Sequence, residues 1–126
     1  MKYEALTGKI IKSAMEVHSI LKSGFQEVIY QRALEEEFRL NNLNFRREFE
    51  MNIFYKNIPI GKRRVDFLVE DMISVEIKAV VEIENVHLAQ AINYLEVYNL
   101  EIGLLINFGN TSLKFHRLEN KKYIPK

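Results

Sequence analysis

The first forty residues carry apolar side chains at every third or fourth position, the spacing that places them on one face of a helix. The stripe of the first segment consists of Leu6, Ile10, Ala14, Val17 and Leu21. It predicts an amphipathic helix over residues 4–22, which Ser23 and Gly24 end. A second helix is predicted over residues 26–40. Its inward-facing residues are Ala33, Leu34 and Phe38.

Alternating apolar and polar residues in the middle of the chain predict three strands. The first carries Phe49, Met51, Ile53 and Tyr55 on one face. A turn is predicted over residues 56–59, and Pro59 must stand at a strand start or outside the hydrogen-bonded ladder, because proline has no N–H. The next two strands, residues 64–69 and 73–78, are separated by a three-residue loop and form an antiparallel hairpin.

The last third of the chain predicts one helix and two strands. A helical stripe over residues 85–98 consists of Leu88, Ala91, Ile92 and Leu95. The apolar run 103–108 is typical of a buried strand, and residues 112–116 form a final strand after the turn at Gly109 and Asn110. The predicted order ααβββαββ describes an α/β or α+β fold in which helices cover a sheet.

The charged side chains that could support catalysis share one face of the predicted hairpin. Because strand side chains alternate, Val65, Phe67 and Val69 should share an apolar face, and Asp66 should point the other way. The same parity places Glu76 and Lys78 on the face of Asp66. If Val69 pairs with Ile73, Asp66 lies opposite Glu76, about 4.5–5.5 Å away at Cβ.

Two carboxylates so placed repel each other unless a metal, a proton or a lysine compensates their charge. Asp66, Glu76 and Lys78 together are the set that a divalent-metal phosphodiesterase needs. The same residues also describe the solvated face of an ordinary amphipathic hairpin. On these three residues alone, both interpretations stay open.

The amino-acid composition excludes several kinds of protein. The chain has 126 residues, of which 48% are hydrophobic and 28% charged, so we predict a single globular domain over residues 1–126. A net charge of +1 excludes a strongly basic surface, so contact with nucleic acid would depend on local patches. The absence of cysteine excludes disulfides and Cys-ligated zinc. No apolar run approaches the length of a membrane span, and we expect a cytoplasmic protein without a membrane partner.

Several motifs together resemble a known family. Residues 24–30 fit the pattern Gly-x-x-Glu-x-x-Tyr. With Asp66, residues 76–79, residues 86–95 and the run 103–108, they are similar to the GxxExxY family, a branch of the PD-(D/E)XK nuclease-like superfamily. The resemblance covers residues 3–118. It implies a restriction-endonuclease-like core with a helix-flanked mixed sheet, and Mg²⁺- or Mn²⁺-dependent cleavage of phosphodiester bonds.

The resemblance also assigns roles to individual residues. It implies that Asp66 and Glu76 hold the metal together with the backbone carbonyl of Ile77, and that Glu27 reaches the metal as a third acid from the adjacent helix. Lys78 would lie beside the attacking water. A carboxylate at a helix start can equally well complement the helix dipole, so Glu27 has a structural alternative. Val65 stands where the superfamily name would place proline.

Further candidates lie on the helices and beside Asp66. Gln90 and Tyr94 share a helix face at spacing i, i+4, and the resemblance implies that they line the active site. Tyr30 would bond a carboxylate or a phosphate, or else belong to the core. Arg64 would bind phosphate, as would Lys62 and Arg63, or lie at a solvated strand edge. His18 and His87 are expected to be partly buried structural residues.

Two classes of function remain open from the sequence. The leading prediction is a metal-dependent nuclease that acts on DNA or structured nucleic acid. The alternative is a non-catalytic nucleic-acid- or protein-binding module that keeps the nuclease fold. A homodimer is also predicted, because a duplex has two strands to cut and a domain of this size carries one site.

Overall fold

The computed structural model describes residues 3–126, and within them it contains three helices and five strands. The helices are α1 (Glu4–Leu21), α2 (Glu27–Leu40) and α3 (Asn85–Tyr98). The strands are β1 (Phe45–Tyr55), β2 (Ile58–Val69), β3 (Ile73–Lys78), β4 (Ile102–Asn107) and β5 (Lys114–Glu119). The predicted order ααβββαββ is confirmed.

The strands form one mixed sheet in the order β1-β2-β3-β4-β5. All neighbours are antiparallel except β3 and β4, which pair in parallel through the α3 crossover. Such a crossover places β3 and β4 in the middle of the sheet, and every residue of β4 is buried. The α/β class with a central mixed sheet is therefore confirmed.

The first hairpin is longer than the sequence pattern predicted. β1 begins at Phe45 rather than near Phe49, and β2 begins at Ile58 rather than at Arg64. The turn is reduced to Lys56 and Asn57, both with positive φ, which is the geometry of a tight two-residue hairpin turn. The basic stretch before Val65 shows no alternation of its own, so only the pairing with β1 reveals it as strand.

Helices cover both faces of the sheet. α1 and α2 pack on one face through buried apolar residues, among them Ile10, Ala14, Val17, Tyr30, Leu34 and Phe38. α3 covers the other face through Ala91, Tyr94, Leu95 and Tyr98. Ile92, which we expected on the inward stripe, is exposed because it lies beside this face rather than on it. Gly103 lets α3 approach closely, since a Cβ there would stand 2.7 Å from the Leu95 side chain.

The expectation that Val65, Phe67 and Val69 share a face is wrong for Val65. Phe67 and Val69 belong to the core under α1 and α2, whereas Val65 packs with the tyrosines of α3. The β1–β2 pairing is interrupted at Glu48, whose φ of 54° lies in the left-handed region. Both strands change faces there, immediately beside Asp66, so simple alternation fails at this point.

Candidate active site

β2 and β3 separate at Asp66. The two strands pair from Val69–Ile73 as far as Phe67–Val75. Beyond that point, Asp66 Oδ2 accepts a hydrogen bond of 2.7 Å from the backbone N–H of Ile77. The Asp66 side chain thus occupies the position where a backbone carbonyl of β2 would otherwise continue the ladder.

The second oxygen of Asp66 faces α2. Gln31 Nε2 donates to Asp66 Oδ1 at 3.4 Å, and Arg47 Nη2 donates to Gln31 Oε1 at 2.9 Å. Burial raises the pKa of Asp66, while the hydrogen bond from the Ile77 N–H acts against that rise. Gln31 was missed in the sequence, although it stands four residues after Glu27 and so shares its helix face.

Glu76 is a buried carboxyl with an unsatisfied oxygen. It is 9% exposed, and its Oε1 is one of two buried side-chain N or O atoms in the described residues that lack a hydrogen-bond partner. Burial, the charge of Asp66 and a hydrogen bond with Asp66 raise the pKa of Glu76 to about 9. A pKa raised this far favours the protonated, neutral form of Glu76 at neutral pH.

A cavity of about 260 Å³ opens beside Glu76 on the α3 side of the sheet. Its lining residues are Arg63, Glu76, Lys78, His87, Gln90, Ala91, Tyr94 and Leu105. The strands β2, β3 and β4 form one wall, and α3 forms the other. Four sequence candidates from β3 and α3, namely Glu76, Lys78, Gln90 and Tyr94, are therefore brought to one cavity.

Arg63, rather than Arg64, lines the cavity. Its Nη2 donates to the backbone oxygen of Gln90 at 3.0 Å, and its guanidinium lies 4.2 Å from the ring centroid of Tyr94. The Tyr94 hydroxyl donates to the backbone oxygen of Arg64. Arg64 itself extends outward, 3.6 Å from Glu48, although its charge still lowers the pKa of Asp66. The change of strand face at Glu48 explains why Arg63 and not Arg64 points to the α3 side.

Glu27 is the first residue of α2 and is exposed. Its pKa is raised by partial burial of the carboxyl and by the nearby charge of Asp66, and the charge of Lys78 opposes this rise. Glu27 therefore lies within electrostatic range of both residues but does not line the cavity.

Tyr30 is not brought to the candidate site. It is fully buried, and its ring stacks on Phe108 with centroids 4.8 Å apart. Its hydroxyl donates to the Lys22 carbonyl at 2.5 Å and accepts from the Phe25 N–H at 3.2 Å. Tyr30 thus joins the end of α1 to the α1–α2 turn, where Gly24 adopts a φ of 117°.

The two histidines differ in position. His18 is buried, its Nε2 bonds the carbonyl of Asn110 at 3.0 Å, and it does not line the cavity. His87 lines the cavity, but its Nδ1 accepts from the Glu84 N–H at 3.0 Å and so caps α3. The hydrogen bonds of both rings agree with the structural role expected for them.

The carboxylate oxygens of this site fit the ligand requirements of a hard divalent cation only in part. Within residues 3–126, no three His, Cys, Asp or Glu side chains cluster as a ready-made metal site. Mg²⁺ needs fewer, because it retains several waters and binds proteins through one or two carboxylates. The unsatisfied Oε1 of Glu76 beside Asp66 fits that requirement, whereas Glu27 does not complete the set in this geometry.

A family model described as the PD-(D/E)XK nuclease superfamily matches residues 4–118. The chain belongs to this superfamily. In the sequence, Glu76, Ile77 and Lys78 spell the (D/E)XK letters of its name, and Val65 precedes Asp66 where the name has proline. The membership shows a nuclease-type ancestry, with nucleic acid as the substrate class of the superfamily.

A solved structure supports the fold. The crystal structure of a protein called SSO0001 superposes with a TM-score of 0.57 at 22% sequence identity, over 73% of this chain and 48% of that one. This chain therefore spans about half of that protein's length. A search of curated proteins finds no match. In the part of the chain that the structure describes, no helix combines the length and apolarity needed to cross a bilayer.

Proposed function

We propose that this chain is a metal-dependent nuclease that hydrolyses phosphodiester bonds in DNA or structured nucleic acid. One observation carries the proposal. A buried glutamate with an unsatisfied oxygen lies against a half-buried aspartate, beside a cavity that also contains a lysine. A solvated hairpin face would leave these acids hydrated and would not raise the pKa of Glu76 to about 9.

PD-(D/E)XK nucleases generally use divalent metals. Here Asp66 and Glu76 would hold Mg²⁺ or Mn²⁺, with the backbone carbonyl of Ile77 as a further ligand. The N–H and C=O of a strand residue point to the same side, so this carbonyl faces the gap that Asp66 occupies. When bound, such a cation neutralises phosphate charge and makes water more acidic.

The remaining chemistry belongs to side chains around the cavity. Lys78 is half-buried, and its charge opposes the rise in the pKa of Glu27, of Asp66 and of Glu76. Its ammonium would stabilise the negative charge that develops on the attacked phosphate. Gln90 would orient the phosphate or its water through its amide.

Arg63 would bind a phosphate of the substrate at the cavity rim. Its guanidinium is held by the Gln90 carbonyl and the Tyr94 ring, so little rotamer freedom is left to lose on binding. Arg64 would contribute a phosphate contact from the exposed side of the strand. Both contacts position the nucleic acid rather than react with it.

The second candidate is a binding module without catalysis, and one observation favours it. Glu27 does not join Asp66 and Glu76 in a three-acid cluster within residues 3–126, and three acids are what the GxxExxY resemblance implies. We nevertheless propose membership of the GxxExxY branch, because Gly24, Glu27 and Tyr30 keep its motif. A homodimer stays a prediction from the two strands of a duplex.

A cleavage assay distinguishes the two functions. Single-stranded, duplex and branched DNA are each incubated with the protein in Mg²⁺, in Mn²⁺ and in EDTA. We expect cleavage of at least one substrate with metal, no cleavage in EDTA, and none by Glu76→Ala, because that variant removes a metal carboxylate. Binding without cleavage in any metal, by wild type and variant alike, would support the binding module and overturn the nuclease.

A further inference from the structure

The β1–β2 hairpin extends far beyond the rest of the sheet. β3 pairs with β2 only at residues 67–69, so the hairpin from residue 49 to residue 64 has no third strand beside it. Every residue from 54 to 62 is exposed. The two strands form a ribbon about 20 Å long beyond Phe49, at about 3.3 Å per residue.

The ribbon is basic, whereas the rest of the chain is slightly acidic. Residues 49–64 contain four basic residues and one acidic residue, Glu50. The remaining positions contain fourteen basic and sixteen acidic residues, so the near-neutral total conceals a locally basic ribbon. Its basic side chains are Lys56, Lys62, Arg63 and Arg64.

The tip of the ribbon is apolar and exposed. Four large side chains there are each more than half exposed, namely Phe54 at 58%, Tyr55 at 59%, Ile58 at 62% and Ile60 at 63%. Next to them, the Lys56 ammonium lies 5.4 Å from the centroid of the Tyr55 ring. Neighbouring apolar and basic side chains suit a partner that offers both phosphates and base surfaces.

The ribbon is continuous with the candidate active site. Arg63 belongs to the ribbon and lines the cavity beside Glu76, and Tyr98 of α3 anchors the same strand by donating to the Arg63 carbonyl at 3.1 Å. A polyanion whose phosphate reached the cavity would therefore extend along Lys62 towards Lys56.

We infer that the β1–β2 hairpin is a docking arm for duplex DNA and that the arm lies in a groove of the duplex. This inference rests on the proposed function, because it takes the occupant of the cavity to be a phosphodiester.

A duplex fits the shape of the arm better than a single strand does. The major groove of B-DNA is about 12 Å wide and admits a two-stranded β-ribbon. Proteins that bind single strands instead enclose the backbone in a groove of their own, lined with stacking aromatics. Here the basic and aromatic groups lie on a projecting ribbon, and an apolar tip can contact base edges or partly unstack a step.

The test measures binding alone, in EDTA, so that its result is independent of cleavage. Fluorescence anisotropy follows a short labelled duplex and the corresponding single strand, titrated with wild type, with Lys56→Ala/Lys62→Ala and with Tyr55→Ser/Ile58→Ser. The control is Lys9→Ala/Lys12→Ala, which removes the same charge from exposed positions on α1. Circular dichroism checks that all variants fold, as expected for exposed substitutions.

We expect the wild type to bind the duplex more tightly than the single strand. Lys56→Ala/Lys62→Ala should weaken duplex binding about 10- to 100-fold, and the slope of log affinity against log salt concentration should be smaller in magnitude by about two. The tip variant should weaken binding without changing the slope, and the α1 control should bind as wild type. Equal losses of duplex affinity in Lys56→Ala/Lys62→Ala and in the α1 control would overturn the proposal, as would tighter binding of the wild type to the single strand. It would also fail if the arm variants bound duplex normally and lost only binding to anionic phosphatidylserine vesicles. Failure of the nuclease proposal would appear in the cleavage assay and would leave these binding results intact.

Discussion

If the chain is the proposed nuclease, Lys78→Met is expected to lower the rate of phosphodiester cleavage by about 10²–10³-fold, because it would remove the positive charge that stabilises the transition state. KM should change little, since the lysine contributes less to the bound ground state than to the developing charge. Single-turnover cleavage in saturating Mg²⁺ measures the effect. Lys121→Met, at an exposed position near the carboxyl end, is the matched control and should cleave as wild type.

Arg63→Ala provides the contrast. In the proposed nuclease Arg63 would hold a phosphate without reacting, so its loss should raise KM about 10-fold or more and leave kcat within a few-fold of wild type. The roles assigned to these two residues would be contradicted if Lys78→Met retained full kcat. They would also be contradicted if Arg63→Ala lost kcat alone.

Glu76→Gln is expected to change how stability depends on pH in metal-free protein. The pKa of Glu76 is raised from 4.5 to about 9 by burial and by Asp66, so the folded state binds more protons than the unfolded state across that window. Its stabilising contribution is therefore complete below about pH 4.5 and is lost as pH rises through about 9. Wild type should lose on the order of 3 kcal/mol between about pH 5 and pH 8 from this group.

Glu76→Gln should remove most of this loss, because an amide keeps the shape and can donate to Asp66 but does not ionise. Urea unfolding in EDTA at several pH values measures it, and the variant should exceed wild type in free energy of unfolding near pH 8. Glu119→Gln, at an exposed position, is the control. Parallel pH profiles for wild type and Glu76→Gln would mean that Glu76 is hydrated in solution and is not buried against Asp66.

The spacing of apolar residues along the sequence predicted an element correctly where those side chains pack at regular intervals against one neighbouring part of the fold. β3 and α3 occur at the predicted residues 73–78 and 85–98, because their apolar positions face a constant environment. The same parity placed Glu76 and Lys78 together, and both line the cavity. The start of β2 could not be predicted, since its basic stretch is held as strand only by β1, which lies beside it in space.

The finer geometry of the site depends on contacts that no local pattern records. The positive φ of Glu48 moves Val65 to the α3 side, and the same change brings Arg63 rather than Arg64 to the cavity. Gln31 reaches Asp66 from another helix, a contact that depends on how α2 packs. Tyr30 kept its motif position, but its hydroxyl bonds the α1–α2 turn instead of the site.

Binding of a divalent cation by Asp66 and Glu76 can be measured through the melting temperature of the protein. Wild type and Glu76→Gln are melted at neutral pH in EDTA and in millimolar Mn²⁺. A cation about 10 to 100 times above its Kd adds on the order of 1–3 kcal/mol to the folded state. We therefore expect wild type to gain about 5–10 °C in Mn²⁺ and Glu76→Gln to gain almost nothing. Equal shifts in both proteins, or no shift in wild type, would contradict the metal site.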